Sequence, residues 1–589
     1  MARNHAAVGA TAKLAGLTLV DCDGRSAWSF LIRDADCTLQ SANDPDSDAD
    51  ATLPIVSLIV QGLKKAEAEI NGSCVALHAY DESKRRWQVS ELGNNGTGQR
   101  VQARGGALAL RVSDPPTRPM TMLTPDLAKQ AVALRYFEVT DGLYSVDSGD
   151  GVVSVPASSL RDASGVEPTP PVEVVDQPSA PGQSMVRACW RFVPGQLIFL
   201  ETPVLQRPRP VRSGLDGLVD DLDHFFALPD AERARILALY ATDVIQLKSA
   251  SSAHSPTASF VDHAAERVQT DAAALLRLLE QRGARVAEGR KFEARRFLSI
   301  WDANAFNNET GLAMYLLLSR LNHSCEPNAQ RMPCGDAFYL VALRPIEVGD
   351  EITHSYLRQN MLLEPRAMRA KRLASWFPTC WCARCAADED DVRRFPCAAA
   401  GCAGEFVVLH AGGFRACTAC GAPPANGPAL LRLEDSLQNK YLGFERDQSS
   451  ITEKGVDSLM ALAQRTLGAR HWMRAGIADL ARDVLVQVAM RCTNRPLAER
   501  ARALTRAAAL AIEWTECWRT NLTVAATCVS LKHERAADML TVLGRFPEAV
   551  EQYLSARSQL ALLAAPDAAR CEQKLRNALN GERNEKDLA

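Results

Sequence analysis

At 589 residues the chain is long enough for about three to five domains. Its composition, 47% hydrophobic and 23% charged, is that of ordinary folded protein, and a formal net charge of -3 gives no support to a basic nucleic-acid-binding face. No apolar run reaches bilayer-spanning length, and the N-terminal MARNHAAVGATAKLAGLTLV lacks the apolar stretch of a secretory signal, so a cytoplasmic or nuclear location and no membrane partner are expected.

Residues 1–165 read as β-rich. Cys74–Tyr80 and Trp87–Val89 are short runs of β-branched or aromatic residues, Gly93–Gly98 (GNNGTG) is a turn, and Arg100–Val112 regains strand character. A second, shorter copy of this pattern runs through Tyr144, Gly151, Val155 and Leu160, which points to one or two small SH3-like barrels. Residues 166–182 form a Pro-rich linker that takes in most of DASGVEPTPPVEVVDQPSAP (162–181), extended where the prolines sit. A compact domain then opens with Val193-Pro194-Gly195 and the LIFLETPV run.

Residues 216–296 read as helical, with Phe225, Phe226 and Leu228, then Ile236, Leu237, Leu239 and Tyr240, at helical spacing. Ser249–Ser259 is a polar break, and helix resumes at Val268. Next come three blocks: RLNHSCEPNA at Arg320–Ala329, GDEITHSY at Gly349–Tyr356, and the C-x-C-x-x-C of Cys380, Cys382 and Cys385. In the second block, His354 reads as an exposed strand histidine.

Seven of the 17 cysteines fall between Cys380 and Cys420, a density that favours zinc over disulfides. Cys397, Cys402, Cys417 and Cys420 have the C-x4-C and C-x2-C spacings of a ribbon-like zinc site, with Gly421 after the last ligand. Residues 429–589 are almost wholly helical. Ala536, Leu540, Gly544, Ala549, Tyr553 and Ala556 fit a TPR-type helix–turn–helix within Glu534–Leu560.

The three blocks, in this order, resemble those of the SET-domain lysine methyltransferases: the NHSC loop, the GEEI..SY segment with Asp350 for the first Glu, and the post-SET cysteines. Ile300, Asn304 and Phe306 occupy, with nearly the same spacing, the places of the I-x-x-N-x-F segment that precedes the loop in that family. The helical insert and C-terminal lobe are similar to the SMYD-like branch. With no cysteine between Cys189 and Cys325, however, the MYND finger that SMYD proteins carry there is missing. The resemblance implies a multidomain α+β protein: a β-rich SET core (183–215 and 297–378) with a helical insert, a post-SET zinc region (379–422), a TPR-like helical lobe (429–589) and the N-terminal β-rich extension.

It also implies the chemistry, which is transfer of a methyl group from S-adenosylmethionine to a neutral lysine amine of a protein substrate. A charged lysine has no lone pair, so the site needs an apolar channel and alignment more than a strong base. By resemblance, Asn322 and His323 bind the cofactor, Asn304 contacts its methionine part, Phe377 covers its adenine, Trp376 lines the lysine channel and Tyr356 is the catalytic tyrosine. Cys325, Cys380, Cys382 and Cys385 would hold one structural zinc, and the Cys397 set a second. Two positions depart from the family. Gln183–Met185 stand where it has G-x-G, and Pro378 stands where it has the adenine-covering phenylalanine. These departures leave an alternative open: a degenerate SET protein acting as a zinc-stabilised scaffold, with peptide partners on the C-terminal lobe and the N-terminal region.

Overall fold

The computed structural model describes residues 56–60, 75–81, 84, 86–91, 101–104, 108–112, 118–123 and 129–582, the last with gaps at 149–150, 163, 177–183, 209–213, 242–244, 248–267, 375, 377–378, 447–451, 492–495, 523–525, 564 and 566. They form two compact units. One comprises the described residues of 115–358 and 367–385, the other those of 1–114, 359–366 and 386–589.

In the first unit an eight-stranded sheet runs, in spatial order, Leu160–Arg161, Arg118–Leu123, Lys129–Glu138, Leu197–Glu201, Ala337–Ala342 and Ala329–Cys334, with Leu143–Asp147 and Val152–Val155 branching from Lys129–Glu138. The LIFLE strand lies between a parallel neighbour, aligned through Phe199 and Phe137, and an antiparallel one. Strands 118–161, read from the sequence as part of the N-terminal extension, therefore share a sheet with the LIFLE strand. Burial of Ile198, Phe199, Leu340 and Ala342 with Val186, Tyr315 and Ile352 makes this unit's main core. At about 25 cal/mol per Å² of apolar surface removed from water, such burial is the dominant stabilising term. Gly195, at φ 82°, turns the chain into the LIFLE strand, and the Gln196 N–H closes that turn on the Val193 carbonyl at 3.0 Å.

Two expectations are corrected here. The Pro-rich segment is not wholly a linker, because Val172–Asp176 is a strand paired antiparallel with Ser184–Ala188. Val172 is buried against the core, and the Cys189 N–H donates to the Pro171 carbonyl, so the prolines end the strand without preventing it. Nor is Val268 helical. Val268–Thr270 pairs as a strand with Ile245–Leu247, and the helix Ala272–Gln281 begins only after Asp271, whose carboxylate accepts from the Ala274 N–H at 2.5 Å. The other insert helices are Gly214–Ala227, Asp230–Leu237 and Lys291–Asn304, packed around Phe225, Phe297 and Leu275. The Ser249–Ser259 break lies outside the described residues.

In the second unit, Val75–Asp81, Arg86–Glu91 and Val101–Arg104 form a three-stranded antiparallel sheet, and Val56–Val60 pairs with Leu108–Val112. The Gly93–Gly98 turn is outside the described residues. Trp87 is fully buried, and its Nε1–H donates to the Leu579 carbonyl at 2.7 Å, satisfying an orphan group at the end of the helix Ala568–Leu579. The C-terminal lobe is a run of consecutive packed helices: Gly427–Arg446, Glu453–Thr466, Trp472–Arg491, Leu497–Asn521, Thr527–Val542, Phe546–Leu562 and Ala568–Leu579. Ala536, Leu540, Ala549, Tyr553 and Ala556 are all buried, and Gly544 at φ 73° makes the turn between their helices. No described helix is long and apolar enough to cross a membrane.

Candidate active site

The loop and the GDEITHSY segment, about thirty residues apart, meet as a two-stranded parallel ladder in which Asn322 aligns with Thr353 and His323 with His354. Asn328 fastens the ladder. Its Nδ2 donates to the Glu351 carbonyl and its Oδ1 accepts the Thr353 N–H, both at 2.8 Å. A side-chain amide offers a donor and an acceptor together, so it can replace a missing strand. On the other side the Ile352 N–H donates to the Val186 carbonyl.

This geometry delivers Tyr356 beside the loop. Its backbone N–H donates to His323 Nδ1 at 3.0 Å, its hydroxyl donates to the Leu321 carbonyl at 2.9 Å, and its ring centroid lies 5.8 Å from that of Trp376. Burial pushes the phenol well above its ordinary range, so Tyr356 is neutral at any physiological pH. Trp376 is itself held by the insert, through the Tyr240 hydroxyl donating to its carbonyl at 3.1 Å.

Asn322 Nδ2 lies 2.7 Å from Glu351 Oε1 and more loosely approaches the Ser184 carbonyl. The His323 ring is fully engaged. Since Nδ1 accepts from Tyr356, Nε2 carries the hydrogen and points it at Cys325 Sγ, 3.2 Å away. Burial lowers its pKa to about 4 and keeps it neutral. Asn304 is buried, and its Nδ2 donates to the carbonyls of Tyr240 and Ile300 at 2.8 Å each, leaving Oδ1 as its remaining polar atom. Phe377 and Pro378 lie outside the described residues, as does Gln183.

His354 is corrected. It is 2% exposed, not a surface residue, because Phe306, Tyr356 and Arg331 pack around its ring. Its Nδ1 sits 2.8 Å from Arg331 Nη1, and the Arg331 guanidinium lies over the Phe306 ring at 5.1 Å. Arg331 and Glu351 were missed as site residues, although Glu351 belongs to a block already singled out. Glu201 was missed as well. Its buried carboxylate accepts the N–H groups of Leu317 and Leu318 at 2.8 Å each, fixing the turn that leads into the loop. Burial raises its pKa to about 7.

The sulfurs of Cys325, Cys380, Cys382 and Cys385 all lie within 4.8 Å of one another, with Cys325 and Cys385 3.6 Å apart. Tetrahedral zinc with Zn–S bonds near 2.3 Å sets ligand sulfurs about 3.8 Å apart, so the donor set fits that ion. The neighbouring Cys325 and Cys380 thiols, with Arg369 adding to their effect, bring Cys385 down to about 6, favouring the thiolate that a metal needs. In the other unit, Cys397 and Cys420 stand 3.8 Å apart and Cys402 and Cys417 3.6 Å. All four sulfurs again lie within 4.8 Å of one another. A Cβ on Gly404 would fall 2.4 Å from Cys417 Sγ, so only glycine permits this approach. Both sets have four thiol ligands and no open position, the pattern of structural zinc.

Comparison with known proteins agrees with this geometry. Residues 184–357 match the family model for the SET domain. Over 88 residues the chain is 38% identical to "Histone-lysine N-methyltransferase SMYD3" of Homo sapiens, covering 15% of this chain and 20% of that protein. It is 40% identical over 93 residues to "Protein-lysine N-trimethyltransferase SMYD5" of Gallus gallus, covering 15% and 22%. With "Histone-lysine N-methyltransferase set5" of Schizosaccharomyces pombe it shares 33% identity over 109 residues, covering 17% and 31%. The aligned part thus spans about a fifth to a third of these relatives. Residues 184–357 thus form a SET domain, and within it the chain is similar to proteins of the SMYD type at modest identity.

Proposed function

We propose that this protein is an S-adenosylmethionine-dependent protein-lysine N-methyltransferase. The observation that carries the reading is the convergence at Tyr356: its amide on His323, its hydroxyl on Leu321 and its ring beside Trp376. A neutral phenol held at the edge of an aromatic channel orients an amine and favours the charge that develops around a transferring methyl group. Asn322, oriented by Glu351, and the backbone of His323 would hold the cofactor, with Asn304 offering Oδ1 to its methionine part and Phe377 covering its adenine. The cofactor supplies the electrophilic methyl group, while the chain's residues align the amine, exclude water and keep the amine's lone pair free. Zinc at the Cys325 set would pin the loop to the post-SET segment, and zinc at the Cys397 set would hold its ribbon. The named relatives support protein lysine, on histones or other proteins, as the substrate class. They also support a nuclear or cytoplasmic location.

Engagement of both Asn304 donors by carbonyls favours a second reading, a scaffold without turnover whose TPR-like lobe and SH3-like N-terminal strands bind protein partners. Tritium transfer from S-adenosylmethionine to core histones and to a lysine peptide library separates the two. Transfer that Tyr356→Phe removes supports the enzyme, and no transfer by the zinc-loaded protein supports the scaffold.

A further inference from the structure

Among the described residues, Arg331 is a cation with no counter-ion. It lies on the strand Ala329–Cys334, partly buried, and among the described residues no carboxylate forms an ion pair with it. Its Nη1 instead meets two neutral groups, His354 Nδ1 at 2.8 Å and the Ser355 carbonyl at 3.3 Å, and its flat face covers Phe306. The His354 ring, held neutral by burial, is the link to the proposed catalytic tyrosine, with ring centroids 5.2 Å apart. Loss of solvent pulls the Arg331 guanidinium down to about 10, still charged at neutral pH, and its field opposes burial in setting the Tyr356 phenol.

Of the described titratable groups near Arg331 and Tyr356, Glu351 carries an opposing charge, and its effect on Tyr356 is smaller than that of Arg331. From the loop strand comes His323, which is neutral. From the GDEITHSY segment come His354 and Tyr356, both neutral, and Glu351, whose carboxylate accepts from the neutral Asn322 amide and acts on Tyr356 against Arg331, but more weakly. The insert's Tyr240 acts on Tyr356, and from the strand beyond the helix Lys291–Asn304 apolar Phe306 lies under the Arg331 guanidinium. A hydrophobic side chain would be less costly here than an unpaired guanidinium, whose desolvation disfavours the fold.

We propose that Arg331 is a positioning residue whose positive charge, transmitted beside Tyr356, keeps the acceptor amine of the substrate unprotonated. The inference rests on the methyltransferase reading above. An ammonium entering beside a fixed cation in a partly desolvated site is disfavoured relative to the neutral amine, as with catalytic lysines whose pKa is lowered by a neighbouring cation. The amine gives its proton to solvent on entry. Its lone pair then forms the new N–C bond as the methyl C–S bond breaks and that electron pair returns to sulfur. The methylated ammonium produced loses its remaining extra proton to water on leaving, and Arg331 takes no proton in the sequence.

The test is the pH profile of tritium transfer from S-adenosylmethionine to core histones and to a random-flank lysine peptide library, for the zinc-loaded full chain, Arg331→Met and Arg331→Lys. Arg331→Met moves the rising limb of kcat/KM upward by about one pH unit, which is about a tenfold loss on the acid side, and converges with wild type at high pH. Arg331→Lys retains the charge and stays near the wild-type profile. Calorimetric affinity for S-adenosylmethionine is unchanged in both, and Arg331→Met unfolds at no lower temperature than wild type. An unmoved limb in Arg331→Met overturns the proposal, as does equal loss at every pH with a lowered Tm, which marks a structural donor to Ser355. Absence of transfer by wild type overturns the methyltransferase reading itself, and this proposal with it.

Discussion

Asn322 Nδ2 and Glu351 Oε1 are 2.7 Å apart, which joins the NHSC loop to the GDEITHSY segment through a charge-assisted hydrogen bond as well as through their backbone ladder. This bond fixes which way the Asn322 amide faces, leaving Oδ1 for a ligand. Glu351→Ala is therefore expected to weaken S-adenosylmethionine binding about tenfold by releasing Asn322, with the fold intact. Isothermal calorimetry beside a melting curve checks both halves.

Tyr356→Phe removes the hydroxyl but keeps the ring against Trp376 and His323. Methyl transfer is expected to fall about a hundredfold or more, with cofactor affinity unchanged. Single-turnover transfer with saturating cofactor measures the chemical step, and a variant with unaltered rate would remove Tyr356 from the mechanism.

The two four-cysteine sets are separable. Cys325→Ser and Cys417→Ser are each expected to lower bound zinc from two ions to one per chain, counted by elemental analysis after gel filtration. Loss of the Cys325 site also frees the loop from the post-SET segment, so only that variant abolishes cofactor binding. Chelation of both ions is expected to destabilise the whole chain.

Glu551 is a buried carboxylate on the helix Phe546–Leu562, and its Oε1 has no hydrogen-bond partner among the described residues. Burial, with Glu548 adding to it, raises its pKa to about 8. Below its unfolded pKa the group is protonated in both states and the contribution is fully present. As pH rises through about 8 the folded chain must hold a buried anion, and that stability is lost. Glu551→Gln is thus expected to raise Tm at about pH 9 and to change it little at about pH 5. Thermal melts at the two pH values are the check, and an equal effect at both would refute it.

The sequence revealed most where a motif combined unlike residue types at fixed spacing. The cysteine sets met as their spacing implied, and the NHSC and SY blocks met in space. Less legible was everything decided by a distant partner. His354 reads as a surface residue because alternation along a strand says nothing of what lies on its other side; here Arg331 and Tyr356 do. The strand at Val172 hides in a proline-rich stretch because its reason to form is the edge offered by Ser184–Ala188. Glu201 looks like one more acidic residue before a proline until Leu317 and Leu318 bring their N–H groups to it across more than a hundred residues.

The most direct test of the central claim is calorimetric titration of S-adenosylmethionine into the full chain with both zinc sites filled, beside Asn322→Ala. The account predicts micromolar binding by the wild type and a loss of at least tenfold in the variant. A folded, zinc-replete wild type that releases no heat and competes for no cofactor would contradict it, and would leave the scaffold reading in its place.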